Sequence, residues 1–206
     1  MTELAVAPCS RAAAEFAVLR WHYSQVMPAG RLVTFGVWES GVFIGAVIFG
    51  RGANHNMGGP YGLTQAQVAE LVRVALTDHA APVSQIVAAV LRKLHATNPG
   101  LRLVVSYADP AEGHHGGIYQ AGNWIYTGKS TPQADLIVDG KPMHKRTAHS
   151  LYGTASPEKI TARSGKRAEW SPVYWKHTYL MPLDRPMRRR VEKRRRPAPK
   201  RKIEDT

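Results

Sequence analysis

RLVTFGVWESGVFIGAVIFG, residues 31–50, is the stretch that decides the fold class. From Arg31 the apolar pattern repeats every second residue, so Val33, Phe35 and Val37 share one face of a strand and Leu32, Thr34 and Trp38 the other. Glu39-Ser40-Gly41 is a turn signal, and VFIGAVIFG (42–50) is a second, more buried strand, which makes the segment a β-hairpin. Upstream, Ser10 caps a predicted helix reaching about Arg20, with Ala13, Phe16 and Leu19/Arg20 at helical intervals, and WHYSQVMPAG (21–30) is a loop. Downstream, RGANHNMGGPYGL (51–63) is a loop containing His55. QVAELVRVALTD (67–78) reads as a strand, with Leu71, Arg73 and Ala75 alternating against Val72, Val74 and Leu76. Val83, Ile86/Val87, Val90/Leu91 and Leu94 then form a helical stripe that Asn98-Pro99-Gly100 stops. LRLVVSY (101–107) is another alternating strand, GIYQAG a short helix, and NWIYTGK a turn into a further strand. Antiparallel strands around one crossover helix describe a mixed α/β layer architecture.

The chain has 206 residues, the size of one domain with an appendage, and its 44% hydrophobic content excludes a disordered polymer. No window approaches the ~20 uninterrupted apolar residues of a membrane span. The N-terminus lacks a basic start followed by an apolar stretch, so no signal peptide is expected. A single cysteine, Cys9, excludes an internal disulfide, and a reducing cytoplasm is the expected location. Residues 1–140 hold nine basic and nine acidic side chains, residues 141–183 eight and two, and residues 184–206 eleven and four. The whole net charge of +13 therefore sits in the last third, as a polyanion-binding protein requires. A solvated tail and an anionic membrane surface are the alternatives, the latter weakened by the absence of an apolar face. Trp170, Tyr174, Trp175 and Tyr179 lie among these cations, where they can stack on bases. The expected organisation is a body over 1–183 and a basic, mobile tail over 184–206.

Two constellations carry chemistry. In Trp21-His22-Tyr23-Ser24, a histidine beside a tyrosine at a helix end suits a general base, a metal ligand or a base-stacking pair, or simply a packed helix terminus. The richer one is Ser106-Tyr107-Ala108-Asp109 followed by Gly113-His114-His115-Gly116-Gly117 and Ile118-Tyr119-Gln120. A carboxylate just past the end of a strand is where open α/β sheets place ligands, and the glycines let the backbone approach a substrate closely. Asp109 is the candidate base, Tyr119 the candidate acid, and His114 a proton carrier or ligand; a glycine-rich turn with a capping aspartate is the plain alternative. If His22, Asp109 and His114 converge, two imidazoles and a carboxylate suit Fe(II). A His-Asn-His nuclease is disfavoured because Asn123 follows too soon after the histidine pair. Arg73 on an otherwise apolar strand needs a partner: a substrate carboxylate or phosphate, or else Glu70 or Asp109.

WHYSQVMPAG, FGVWESGVFIGAVIFG, AELVRVAL, SYADPAEGHHGGIYQAGNWIYTG and DGKPMHKRTAHSLYGT, in that order over roughly residues 20–180, resemble the phage Mom DNA-modification proteins, a family related to the GNAT acyltransferases. The resemblance implies a GNAT-like mixed, largely antiparallel central sheet flanked by helices, split around a cofactor site. It implies a transferase that converts adenine in phage DNA to N6-carbamoylmethyladenine and protects that DNA from host restriction, in the cytoplasm of an infected or prophage-carrying bacterium. His22, Tyr23, Arg73, Ser84, Asp109, His114 and Tyr119 fall on the motif positions, with Arg73 and Ser84 on the cofactor side. The implied cofactor is acetyl-CoA or a related acyl donor, and the implied partner is double-stranded DNA with its adenine flipped out, no membrane being involved. GNAT enzymes hold the coenzyme A pyrophosphate with a glycine-rich loop at a helix N-terminus, whereas the corresponding LTDHAAPVS (76–84) has no glycine. Amides near Val83 and the Ser84 hydroxyl remain for an anion. An N-acyltransferase for a protein or small molecule, and a non-catalytic phage DNA-binding protein, are the competing expectations.

Overall fold

The computed structural model describes residues 3–52 and 56–200. His55 in the 51–63 loop, and residues 201–206 of the expected tail, lie outside them. The chain forms two compact units, one running to Gly128 and resuming at His177, the other spanning Lys129–Lys176.

The larger unit begins with β1 (Leu4–Pro8), α1 (Arg11–Trp21), β2 (Leu32–Glu39), β3 (Val42–Gly50) and β4 (Val68–Leu76). It continues through α2 (Val83–Thr97), β5 (Leu103–Ala108), α3 (Gly117–Ala121) and β6 (Ile125–Lys129). The smaller unit holds β7 (Leu136–Val138), β8 (Lys141–Met143), α4 (Lys145–Tyr152), α5 (Pro157–Ser164) and β9 (Ala168–Trp170), after which β10 (His177–Pro182) and α6 (Arg185–Glu192) return to the larger one. The main sheet runs β1-β2-β3-β4-β5-β10-β6. Its described pairings are antiparallel except β4 with β5, which run parallel, so the fold is α/β with a mixed, largely antiparallel sheet flanked by helices.

Ser10 caps α1 through its side chain, as its position suggested. The buried face of α1, however, is Ala14, Ala17 and Val18, while Phe16 is 42% and Leu19 50% exposed. Small side chains let the helix lie close against Ala46, Ile48 and Ala75 of β3 and β4, and that packing overrides the larger apolar stripe. On the opposite face, Ile86, Val87, Val90, Leu91 and Leu94 of α2 pack on Phe35, Val47, Phe49, Leu71 and Val104.

The alternation read along β4 breaks in the middle. Ile48 pairs with Arg73 and Phe49 with Leu71, so Val72 is an extra, bulged residue. Leu71, Val74 and Leu76 therefore join the α2 core, whereas Val72 and Ala75 join the α1 core. Arg73 pairs with Ile48, a member of the α1 core, which places it on the α1 face.

The segment after Leu183 departs most from expectation. Asp184 caps α6 by accepting from the Met187 amide at 2.7 Å, and it pairs with Arg102 at 2.7 Å. Met187 and Val191 are fully buried among Val68, Leu103, Val105, Ile125 and Leu180. A mobile tail starting at residue 184 is thus corrected: the helix interior completes the sheet's core. The Arg190 and Arg194 guanidinium groups donate to the Tyr61 and Pro60 carbonyls at 2.7 and 2.6 Å. Pro199 accepts from Gln120 at 3.0 Å.

In the smaller unit, weak sequence periodicity conceals a three-stranded sheet, β8-β7-β9, with a core of Leu136, Val138, Ala148 and Ile160. Three-residue strands are too short to show an alternation. Among the described residues no helix is long and apolar enough to cross a membrane.

Candidate active site

The register of β4 with β5 covers Val68–Leu103, Ala69–Val104 and Glu70–Val105. One residue further on, the Leu71 carbonyl is bonded by the Ser106 side chain at 2.9 Å rather than by a strand amide. Tyr119 meets the sheet where that ladder ends, whereas Ser84 lies apart on α2. Ser106 Oγ also lies 2.8 Å from the Tyr119 hydroxyl. A carbonyl can only accept, so the single serine proton goes to Leu71 and Tyr119 is left to donate to Ser106. Burial pushes the Tyr119 phenol up to about 12, so it stays protonated across the physiological range. In the sequence Ser106 is marked only by being a hydroxyl on a largely apolar strand.

Tyr119 sits on α3, and the turn before it depends on one glycine. Gly116 has φ +82°, and a Cβ there would lie 2.3 Å from the Tyr179 ring. Tyr179, fully buried, donates its hydroxyl to the His115 carbonyl at 2.6 Å, fixing the turn from beneath. Tyr179 is therefore core and offers no face to a base. Trp124, 3% exposed and 5.0 Å from Tyr119 between ring centroids, is core as well. Trp21 packs against Phe16 and Phe43.

Asp109 follows β5 and caps a short 3-10 turn, its carboxylate accepting from the Ala111 amide at 3.0 Å. Its own carbonyl accepts from the His114 amide at 3.0 Å, which holds the two residues in one loop. The His114 ring meets Tyr23 edge-on at 5.2 Å, and Tyr23 stacks at 4.3 Å on His22. Tyr23 is 58% exposed. Residues 22, 23 and 114, remote in sequence, thus form one rim.

His22 caps the C-terminus of α1. Its Nδ1 accepts from the Ser24 amide at 3.1 Å and lies 2.8 Å from the Ser24 hydroxyl. An amide can only donate, so Nδ1 is unprotonated and the neutral ring carries its proton on Nε2. Partial burial, then the neighbouring Arg73 and His114, lower His22 to about 4. His22 is consequently uncharged at neutral pH. Arg73 donates to the Val72 carbonyl, freed by the bulge, at 2.7 Å, and its buried Nε has no partner among the described residues.

These contacts do not fit Fe(II). Among the described residues no group of three or more His, Cys, Asp or Glu side chains is arranged to hold a metal. His22 Nδ1 is engaged by Ser24. The expected ligand set of His22, Asp109 and His114 is corrected accordingly.

Ser84 is the second residue of α2. Immediately before that helix the Ala80 and Ala81 amides donate to the Glu39 carboxylate at 2.9 and 2.6 Å, and Pro82, the N-cap, has no N–H. The Ala80 and Ala81 amides are therefore taken by the chain's own carboxylate.

Among solved structures, the chain aligns with a suggested acetyltransferase from Acinetobacter baylyi at 10% identity, over 91% of this chain and 96% of that one, with a TM-score of 0.49. It aligns with an N-acyl amino acid synthase from uncultured soil microbes at 12% identity, over 94% and 97%, with a TM-score of 0.47. The spermidine/spermine N-acetyltransferase of Vibrio cholerae aligns at 9% identity, over 93% and 96%, with a TM-score of 0.46. No curated protein sequence matches the chain. The family model of the Mom proteins matches residues 3–200.

Proposed function

The chain belongs to the Mom protein family, and from that premise we propose that it is a transferase acting on DNA, converting adenine to N6-carbamoylmethyladenine in phage DNA and protecting it from host restriction. The observation that best supports this reading is the rim of His22, Tyr23 and His114 set beside the buried Ser106–Tyr119 pair at the end of the β4–β5 ladder. The N6 amine of a duplex adenine is unreachable within the stack, so the base must be extruded. The exposed Tyr23 ring is the surface on which such a base stacks, and the basic residues of 141–200 supply contacts to phosphates.

The exocyclic amine is a weak nucleophile because its lone pair is delocalised into the ring. In this reading N6 attacks the methylene carbon of the donor, the bond from that carbon to the donor's leaving group breaks and the leaving group departs with the electron pair, and Asp109, whose carbonyl accepts from the His114 amide, takes the N6 proton. The His22 Nε2–H donates to negative charge developing on the donor, and its depressed pKa keeps it neutral in that task. Tyr119 holds its proton toward Ser106 and gives it up only by breaking that bond. The partnerless Arg73 Nε suits an anionic group of donor or substrate. The donor in this reading carries its leaving group on the methylene beside the amide carbon, since direct transfer from an acyl donor would leave an amide on N6.

Mass spectrometry of nucleosides from cells expressing the chain is the test. Wild type yields modified deoxyadenosine, and Asp109→Asn and Tyr119→Phe each lower the yield by ~10²-fold while the protein stays folded. Unmodified DNA with intact binding points to a DNA-binding protein without catalysis. Unmodified DNA with acylated protein or small amines points to an ordinary N-acyltransferase.

A further inference from the structure

We propose, resting on the group-transfer reading above, that the donor is not carried on a diphosphate gripped by the amides ahead of α2, because this chain fills those amides with its own anion, Glu39. Glu39 ends β2 and pairs with Leu4 on one side and Val42 on the other, so its backbone is fixed by two strands. It is 8% exposed, and its carboxylate spans two successive backbone amides at 2.9 and 2.6 Å. Those two bonds hold the carboxyl below its ordinary range, so it is ionised at neutral pH. Two carboxylate oxygens thus occupy two adjacent N–H groups in the turn that leads into α2, donors that two phosphate oxygens would otherwise use.

The sequence around the cradle reinforces the exclusion. Phosphate-holding turns work by presenting a run of backbone N–H groups with no side chain in the way. Here residues 80 and 81 are alanines whose amides are already engaged, and Pro82 interrupts the run because it has no N–H. A diphosphate would have to expel a buried, ionised carboxylate from two charge-assisted hydrogen bonds and place its own negative charge beside it. The donor this geometry admits is one recognised through its transferable part, without a diphosphate bound at this place.

Full-length protein is titrated with coenzyme A and, separately, with pantetheine, which has the same thiol arm without the nucleotide diphosphate. Backbone amide spectra of ¹⁵N-labelled protein are followed during both titrations. The expected result is coenzyme A binding no tighter than pantetheine within about threefold, with the Ala80 and Ala81 amide signals unmoved. Glu39→Gln removes the charge while keeping the shape, and is expected to improve coenzyme A binding relative to pantetheine by about tenfold. Wild-type protein that binds coenzyme A about a hundredfold more tightly than pantetheine, with both amide signals shifting, overturns the proposal. The wild-type spectra decide even if the variant fails to fold. Absence of modified adenine would remove the functional reading and leave this binding result standing.

Discussion

The two basic regions of this molecule have similar compositions and different physics. In Lys129–Lys176 the cations stand on a small unit with its own apolar core, and several lie over aromatic faces: Lys129 on Trp175 at 3.8 Å and Lys145 on Trp170 at 4.7 Å. From Asp184 onward, the basic residues punctuate a helix whose apolar side is part of the main core. There Arg190 and Arg194 are positioned by carbonyls of residues 61 and 60. Charge counting sees one polyanion-binding end. The contacts separate a module whose removal should cost binding from a segment whose removal should cost the fold.

Truncation after Leu183 tests this difference most severely. It deletes two fully buried side chains and the Asp184–Arg102 pair from a domain whose total stability is of the order of 5–15 kcal/mol. We expect loss of cooperative thermal unfolding, not the folded but weakly binding protein that a detached tail would leave. A sharp melt near that of wild type would break the comparison. The single change Met187→Ala should cost about 2–5 kcal/mol in denaturant unfolding, as a fully buried methionine does.

The opposite expectation applies to exposed Lys141, Lys145 and Lys159. Replacing the three by alanine should leave the melting temperature nearly unchanged. DNA binding should weaken at all sequences, with the slope of log affinity against log salt reduced by roughly 0.9 per lost phosphate contact. An unaltered slope would assign those cations to solvent.

The smallest effect lies outside both regions, at His22. Its folded pKa of about 4 is below the ordinary 6.5, so between those values the unfolded chain takes up a proton that the folded chain refuses. Stability therefore declines modestly as pH falls from 6.5 toward 4, and His22→Gln should flatten that decline. An imidazole titration midpoint near 6.5 in NMR spectra would contradict the assigned environment.

Much of the site was legible because its residues come in compact runs. His22 and Tyr23 terminate a helix that Ser10 begins, and Asp109, His114 and Tyr119 lie within one strand-to-helix turn. What local patterns could not show was their tautomers, partners and burial. Tyr179 lies in the aromatic-basic stretch, yet it is the buried prop under Gly116. Glu39 illustrates the same limit, since its turn position gives no hint of the amides 41 and 42 residues away that it engages.

The sequence by itself determined the elements with strong local signals: the 31–50 hairpin, the helix over 83–97, the strand ending at Ala108, and the overall excess of positive charge. Those follow from side-chain periodicity and capping, which act within a few residues. Only the tertiary structure decided which face of α1 is buried, where β4 slips by a residue at Val72, and that α6 belongs to the core. Each of these is settled by competition between surfaces distant in the chain. The arginine-rich strip becomes a fixed helix because Met187 and Val191 find the apolar ends of β4, β5, β6 and β10, a partner no local pattern contains.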